Sequence, residues 1–197
     1  MFKQFTESPQ PDFYDVENDS DSYTPTVSVE PCEECDVLVV GTEDGYSFIE
    51  NIIHDKGKSF KLEDKVYRLQ SIKNSDDSNY VAEAILKGKP KQVVVLTSRP
   101  LYLLKNEDID TMKLLSTMKK STLDPPMFVS GAAASFYNVC KHLKIPCDVY
   151  CAFHSTYQPM VSPSRYGMKK KAFDLFSTID FLPNFDFKHV EQSTMYC

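Results

Sequence analysis

Several things are scarce in this 197-residue chain, and each scarcity removes a class of function. Basic residues are outnumbered, 22 Lys and Arg against 28 Asp and Glu, for a net charge of −6. Such a chain has no basic excess to displace counterions from a nucleic acid or to hold an anionic membrane surface. Its apolar runs reach only strand length, so no segment reads as a membrane span, and no membrane insertion is expected. The opening Met1-Phe2-Lys3-Gln4-Phe5-Thr6-Glu7 lacks the apolar stretch and small-residue cleavage site of a secretory signal. Without that signal, the six cysteines read as reduced thiols, and the chain is expected in the cytoplasm, with the nucleus left open.

What is present fits one globular domain: 42% hydrophobic and 25% charged residues over a length that supports a single core. Residues 1–35 read as a disordered acidic arm. Pro9, Pro11, Pro25 and Pro31 interrupt regular structure, and Asp15, Glu17, Asp19 and Asp21 face almost no opposing charge. Such a stretch cannot bury enough apolar surface to offset its ordering entropy.

From residue 36 the pattern changes. Val37-Leu38-Val39-Val40-Gly41 is a continuous apolar run, as expected of a strand buried on both faces. Thr42 then suits a helix cap, with Glu43 and Asp44 in the first turn and Phe48, Ile49, Ile52 and Ile53 at helical spacing, up to Gly57. A shorter strand is expected at Val66–Ile72, a polar turn at Asn74–Asn79, and a helix around Tyr80–Lys87, stopped by Gly88 and Pro90. Val93–Thr97 reads as a second buried strand. Asn106 suits the cap of a helix carrying Ile109, Met112, Leu115 and Met118 and ending at Lys119 and Lys120.

The segment Ser130-Gly131-Ala132-Ala133-Ala134 opens a helix whose stripe is Phe136, Val139, Cys140 and Leu143. It ends before Ile145-Pro146, and Cys147–Phe153 is a further strand. A last helix is expected at Lys169–Ser177. Strands alternating with helices predict an α/β domain over 36–183, a mainly parallel sheet with helices on both faces. A flexible tail is expected at 184–197. No internal repeat is visible.

Candidate chemistry is sparse. Cys32-Glu33-Glu34-Cys35 precedes a strand, whereas a thioredoxin-like pair follows one, and a zinc site needs two more ligands at suitable spacing. Core thiols are the plainer reading. Gly41-Thr42-Glu43-Asp44-Gly45 lies between strand and helix but lacks the glycine pattern of a dinucleotide fold and the Gly-Lys-Ser/Thr of a P-loop. Two acidic residues at that helix start oppose a phosphate, so a tight turn is the better reading. No Gly-x-Ser-x-Gly elbow occurs. His54, His142, His154 and His189 are scattered, each without an acid partner evident in sequence, although distant residues can still meet in space. Arg165 with Lys169, Lys170 and Lys171 reads as a solvated helix face or, second, a contact for an acidic partner.

The ending Met195-Tyr196-Cys197 differs in kind. A hydrophobic residue, a tyrosine and any residue with a free carboxylate form the C-terminal signature of proteins that insert tails into pockets of the proteasome α ring. By chance it arises in roughly 2% of chains of this composition.

Three stretches, Gln92–Arg99, Pro126–Cys140 and Lys144-Ile145-Pro146, in that order and together with the Met-Tyr-Cys ending, resemble the proteasome assembly chaperone family. Asp36–Ile53 resembles its first strand and helix more weakly, while Lys58–Lys91 looks shorter than the family's corresponding region. The resemblance implies function by binding rather than catalysis. Members pair with a second assembly chaperone as a heterodimer. The pair sits on the outer face of the forming α ring, prevents its misassociation and delays cap binding. Of the family's binding residues only Met195, Tyr196 and Cys197 carry over. No catalytic residue, cofactor or metal is implied. Two alternatives stand beside it. One is an enzyme on a phosphorylase-like α/β scaffold, which needs a polar cluster near Gly41, Thr97 or His154; the other is a generic interaction module.

Overall fold

A computed structural model describes Val29 and residues 31–101, 110–123, 128–155 and 165–183. The element order is β1 (Val37–Gly41), α1 (Asp44–Lys56), β2 (Ser59–Leu62), β3 (Lys65–Ser71), α2 (Ser78–Leu86), β4 (Gln92–Leu101), β5 (Thr111–Ser116), α3 (Gly131–Leu143), β6 (Cys147–Ser155) and α4 (Arg165–Phe176). One six-stranded sheet runs β2-β3-β1-β4-β6-β5. The pairings β3/β1, β1/β4 and β4/β6 are parallel, while the outer strands β2 and β5 are antiparallel to their neighbours. The expected α/β domain with a mainly parallel sheet is therefore present.

Burial explains why the central strands read as unbroken apolar runs. Leu38, Val40, Val93, Val95, Cys147 and Val149 face α2 and α3, meeting Val81, Ile85, Phe136 and Cys140. Their neighbours Val37, Val39, Val94 and Leu96 face α1 and α4, meeting Phe48, Ile49, Ile52, Phe173 and Phe176. Phe48 sits between Phe173 and Phe176 with ring centroids 5.3 Å from each. Such ring pairs contribute about 0.5–1.5 kcal/mol beyond area burial. This binds α1 to α4 and fixes the helix layer on that face.

Two expectations need correction, and one strand was not foreseen. The helix expected through Met112 and Leu115 is the strand β5, paired with β6 from Thr111↔Phe153 to Ser116↔Asp148. Met112 packs into the α1–α4 core and Leu115 into the α2–α3 core. Residues three apart share a helix face but occupy opposite faces of a strand, so these two packings settle the choice. Asn106 and Ile109 lie outside the described residues. Lys119 and Lys120 end no helix; Lys119 instead holds the buried Asp148, Nζ to Oδ2 2.8 Å. Secondly, Leu143 is half exposed and does not belong to the buried stripe of α3. Lys144 in the left-handed region (φ 59°) turns the chain there. The strand β2 was not evident in sequence. It is short and largely exposed, with only Phe60 drawn in by stacking on Tyr67 at 5.0 Å.

The two edges of the sheet differ. The outer edge of β5 is occupied: Thr122 N donates to Leu114 O (2.8 Å), and Leu114 N donates to Thr122 Oγ1 (2.9 Å). Ser116 N donates to Ser121 Oγ (3.1 Å). No comparable cover lies on β2 among the described residues, and Lys61 sits within that short strand.

Candidate functional site

The parallel strands end where β1 turns into α1, and that turn is tightly built. A Cβ on Gly41 would lie 2.1 Å from Gly45 O, and one on Gly45 would lie 2.2 Å from Leu96 O. Only glycine permits either approach. Thr42 is fully buried and serves no cap: its N–H donates to Leu96 O at 2.8 Å, and its hydroxyl reaches the same carbonyl at 3.5 Å. The residue flanking the helix is Glu43, at φ 53° and ψ −124°, a conformation that costs a non-glycine residue about 1–3 kcal/mol.

Two glycines bracketing a strained residue between strand and helix make the geometry of a nucleophile elbow, with glutamate where that motif carries serine. The tight-turn reading of Gly41–Gly45 holds, but the strain at its centre was missed. The spacing Gly-x-Glu-x-Gly was the available signal. The exposed Glu43 carboxylate accepts from Asn74 Nδ2. Asn74 Oδ1 in turn accepts from Ala132 N at 2.9 Å, so one asparagine ties this turn to the start of α3.

Beside the turn, on the α1 face, lies a second polar group. The register sets Ser98 opposite Ala152 and Pro100 opposite His154, which places Ser98 and His154 just beyond the α1-facing core. Ser98 Oγ donates to Asp44 Oδ2 at 2.6 Å and accepts from Asp44 N at 3.3 Å. His154 Nε2 lies 3.8 Å from the same Oδ2, an ion-pair distance rather than a hydrogen-bond length. Burial pushes the Asp44 pKa up, but His154, the Ser98 hydroxyl and the charge of Lys169 outweigh it and hold the carboxyl below its ordinary value. His154 is buried, with 3% of its surface exposed, and no group among the described residues pairs with its Nδ1. A buried polar atom without a partner costs about 1–3 kcal/mol.

The arrangement differs from a Ser-His-Asp triad. In that triad the serine shares its proton with the imidazole. Here the Ser98 hydroxyl points at a carboxylate, and the imidazole faces that carboxylate as well.

The five thiols among the described residues lie in the core. Cys32 and Cys35 touch each other, and Cys32 N donates to Ile85 O at 3.1 Å. Burial raises the Cys32 thiol and pushes Cys35 and Cys151 up to about 12. A hydrogen bond with Cys140, followed by burial, raises Cys147. Among the described residues no group of three His, Cys, Asp or Glu is placed to hold a metal ion. On α4, Lys171 pairs with Asp110 at 3.1 Å and Lys169 lies 5.9 Å over the Phe173 ring. The sequence-derived docking residues Met195, Tyr196 and Cys197 lie outside the described residues.

Comparison with protein-family models finds no match, and comparison with curated proteins finds none. Solved structures do match. The chain is similar to a PAC2 family protein from Streptomyces avermitilis, with 12% identity over 75% of this chain and 86% of that one, at a TM-score of 0.53. The fold is shared with a PAC2 protein. At that identity the likeness is one of fold alone. Looser likenesses are to Pyrococcus furiosus PbaA, an archaeal homolog of proteasome-assembly chaperone (10% identity, 84% and 90% covered, TM-score 0.47), and to a futalosine hydrolase mutant of Helicobacter pylori (12%, 77% and 100%, 0.45). Among the described residues no helix is long and apolar enough to cross a membrane.

Proposed function

We propose that the chain is a chaperone for assembly of the proteasome core particle, the first of two paralogous partners that form a heterodimer. The pair binds the α ring, and the C-terminal tail of this chain enters a pocket between α subunits. One observation carries the reading. The stretches that resemble assembly chaperones, Gln92–Arg99, Pro126–Cys140 and Lys144–Pro146, correspond to β4, to α3 with its approach, and to the turn into β6. β4 and β6 are neighbours in the sheet, so the resemblance falls on one contiguous half of the fold. The fold shared with the PAC2 protein supports the same reading.

Recognition by the tail follows from its chemistry. The terminal carboxylate can pair with a buried lysine, Tyr196 offers a ring and a hydroxyl, and Met195 is an adaptable apolar anchor. Burying both side chains contributes roughly 3–6 kcal/mol before ordering costs. A lone tail is thus a weak ligand, and a docked body or a second tail raises its effective concentration. The polar Gln192-Ser193-Thr194 supplies reach.

The test is binding of the purified protein, with its partner chaperone, to isolated α rings, comparing the full chain with one lacking 195–197. Truncation is expected to weaken binding at least tenfold. Equal binding by both forms removes the tail from the mechanism, and no binding by either form removes the proteasome reading.

A further inference from the structure

We propose that the cluster of Asp44, Ser98 and His154 at the carboxyl ends of β1, β4 and β6 binds a small uncharged molecule rich in hydroxyl groups, a sugar or related polyol. This goes beyond the chaperone reading and stands independently of it. The starting point is an unmet demand. His154 is almost wholly enclosed, its Nε2 is turned to Asp44 at 3.8 Å, and its Nδ1 has no partner among the described residues. Nδ1 is thus an enclosed polar atom open to a partner, and a hydroxyl group can serve it because it both donates and accepts. Ser98 and His154 both meet the Asp44 carboxylate at Oδ2, and a carboxylate accepts at both oxygens. Ser98 already donates its one proton to Asp44. The cluster therefore leaves an enclosed ring nitrogen and a carboxylate open to a ligand that both donates and accepts.

Charge then narrows the ligand. An anion would meet Glu43 and Asp44 at the head of α1. An ammonium group would join a cation already present, because Lys169 acts on Asp44 and the positive end of α1 adds to it. A metal ion lacks a third ligand among the described residues. Hydroxyl groups supply donors without charge. Asp44, with 29% of its side chain exposed against 4% for His154, is the member of this pair nearer to solvent. The helix start alone would define no ligand; the enclosed, unpartnered imidazole beside it does.

The experiment uses the full chain labelled with ¹⁵N. The His154 imidazole nitrogens are followed by NMR during separate titrations with D-ribose, D-glucose, myo-inositol, sodium phosphate and methylamine at fixed ionic strength. A polyol is expected to saturate and to shift the Nδ1 resonance as that nitrogen gains a hydrogen-bond partner. Asp44→Asn is expected to weaken that polyol about tenfold, because a hydrogen bond to a charged group is lost. Ser98→Ala weakens it severalfold while α-ring binding stays unchanged. The wild-type titration decides the matter even if a variant at His154 does not fold. Failure of every polyol to saturate, equal affinity in Asp44→Asn, or preference for phosphate or methylamine each overturns the proposal. Loss of α-ring binding on tail truncation with polyol binding intact keeps the two readings distinguishable.

Discussion

Replacing Gly45 by alanine should be far more damaging than its one added methyl suggests. The new Cβ would lie 2.2 Å from Leu96 O, 2.7 Å from Leu96 C and 3.1 Å from Leu96 Cβ, and two of those atoms are backbone of the central strand β4. Real Cβ contacts stay beyond 3.0 Å, so the head of α1 must retreat by nearly 1 Å. That retreat strains the 2.8 Å bond from Thr42 N to Leu96 O and loosens Phe48 and Ile49 against the sheet. Overpacking of this kind costs about 1–3 kcal/mol and a lost buried hydrogen bond about 1 kcal/mol more, for a total near 3 kcal/mol. In a domain of this size that lowers Tm by ~10 °C. The assay is urea unfolding followed by circular dichroism, with Gly57→Ala as the comparison. Gly57 sits at φ 90° and ψ 176°, a region essentially reserved for glycine, but no heavy atom lies within 4 Å of the added carbon, so backbone strain of about 1–3 kcal/mol is expected without a clash. If Gly45→Ala loses no more than Gly57→Ala, the close approach is not what makes glycine necessary, and the account of the turn is wrong.

Other expectations follow from the same region. Glu43→Gly should raise stability by about 1 kcal/mol, since strain of about 1–3 kcal/mol is relieved against about 0.4–1 kcal/mol of added unfolded-state entropy; a loss in the urea midpoint would contradict this. The folded-state pKa of Asp44 lies below its unfolded value, so its contribution is present above about pH 4 and fades as pH falls through the folded value. The urea midpoint of the wild type should therefore converge on that of Asp44→Asn below pH 4, and parallel curves would exclude a role for ionisation. Iodoacetamide should leave Cys32, Cys35, Cys140, Cys147 and Cys151 unlabelled in the native chain and label them after unfolding. Rapid native labelling of any of the five, read by peptide mass, would refute their burial.

The parts of the fold that declared themselves in sequence are those whose burial is uniform. Val37–Val40 and Val93–Leu96 are covered on both faces, so composition alone marks them. β5 was misread because Met112, Leu115 and Met118 keep a spacing of three that suits a helix. Only pairing with β6, a tertiary fact, sends Met112 and Leu115 to opposite faces. β2 left no signal because three of its four residues are exposed. The polar cluster was half legible. Gly41 and His154 stood among the places where such a group would have to form, yet the partnership of Asp44, Ser98 and His154 depends on which strands are neighbours and on their register. The strain at Glu43 was legible only through the Gly-x-Glu-x-Gly spacing, because a glutamate by itself gives no sign of a positive φ.

The inequality of the two sheet edges bears on stoichiometry. Strand-to-strand association adds one copy at each open edge. A sheet open on both sides can extend without limit, as in a fibre. Here β5 is already bonded by Ser121 and Thr122, leaving β2 as the edge open among the described residues. Two such edges meeting each other consume both, and nothing remains for a third copy. Association through the described edges of this sheet therefore closes at a pair.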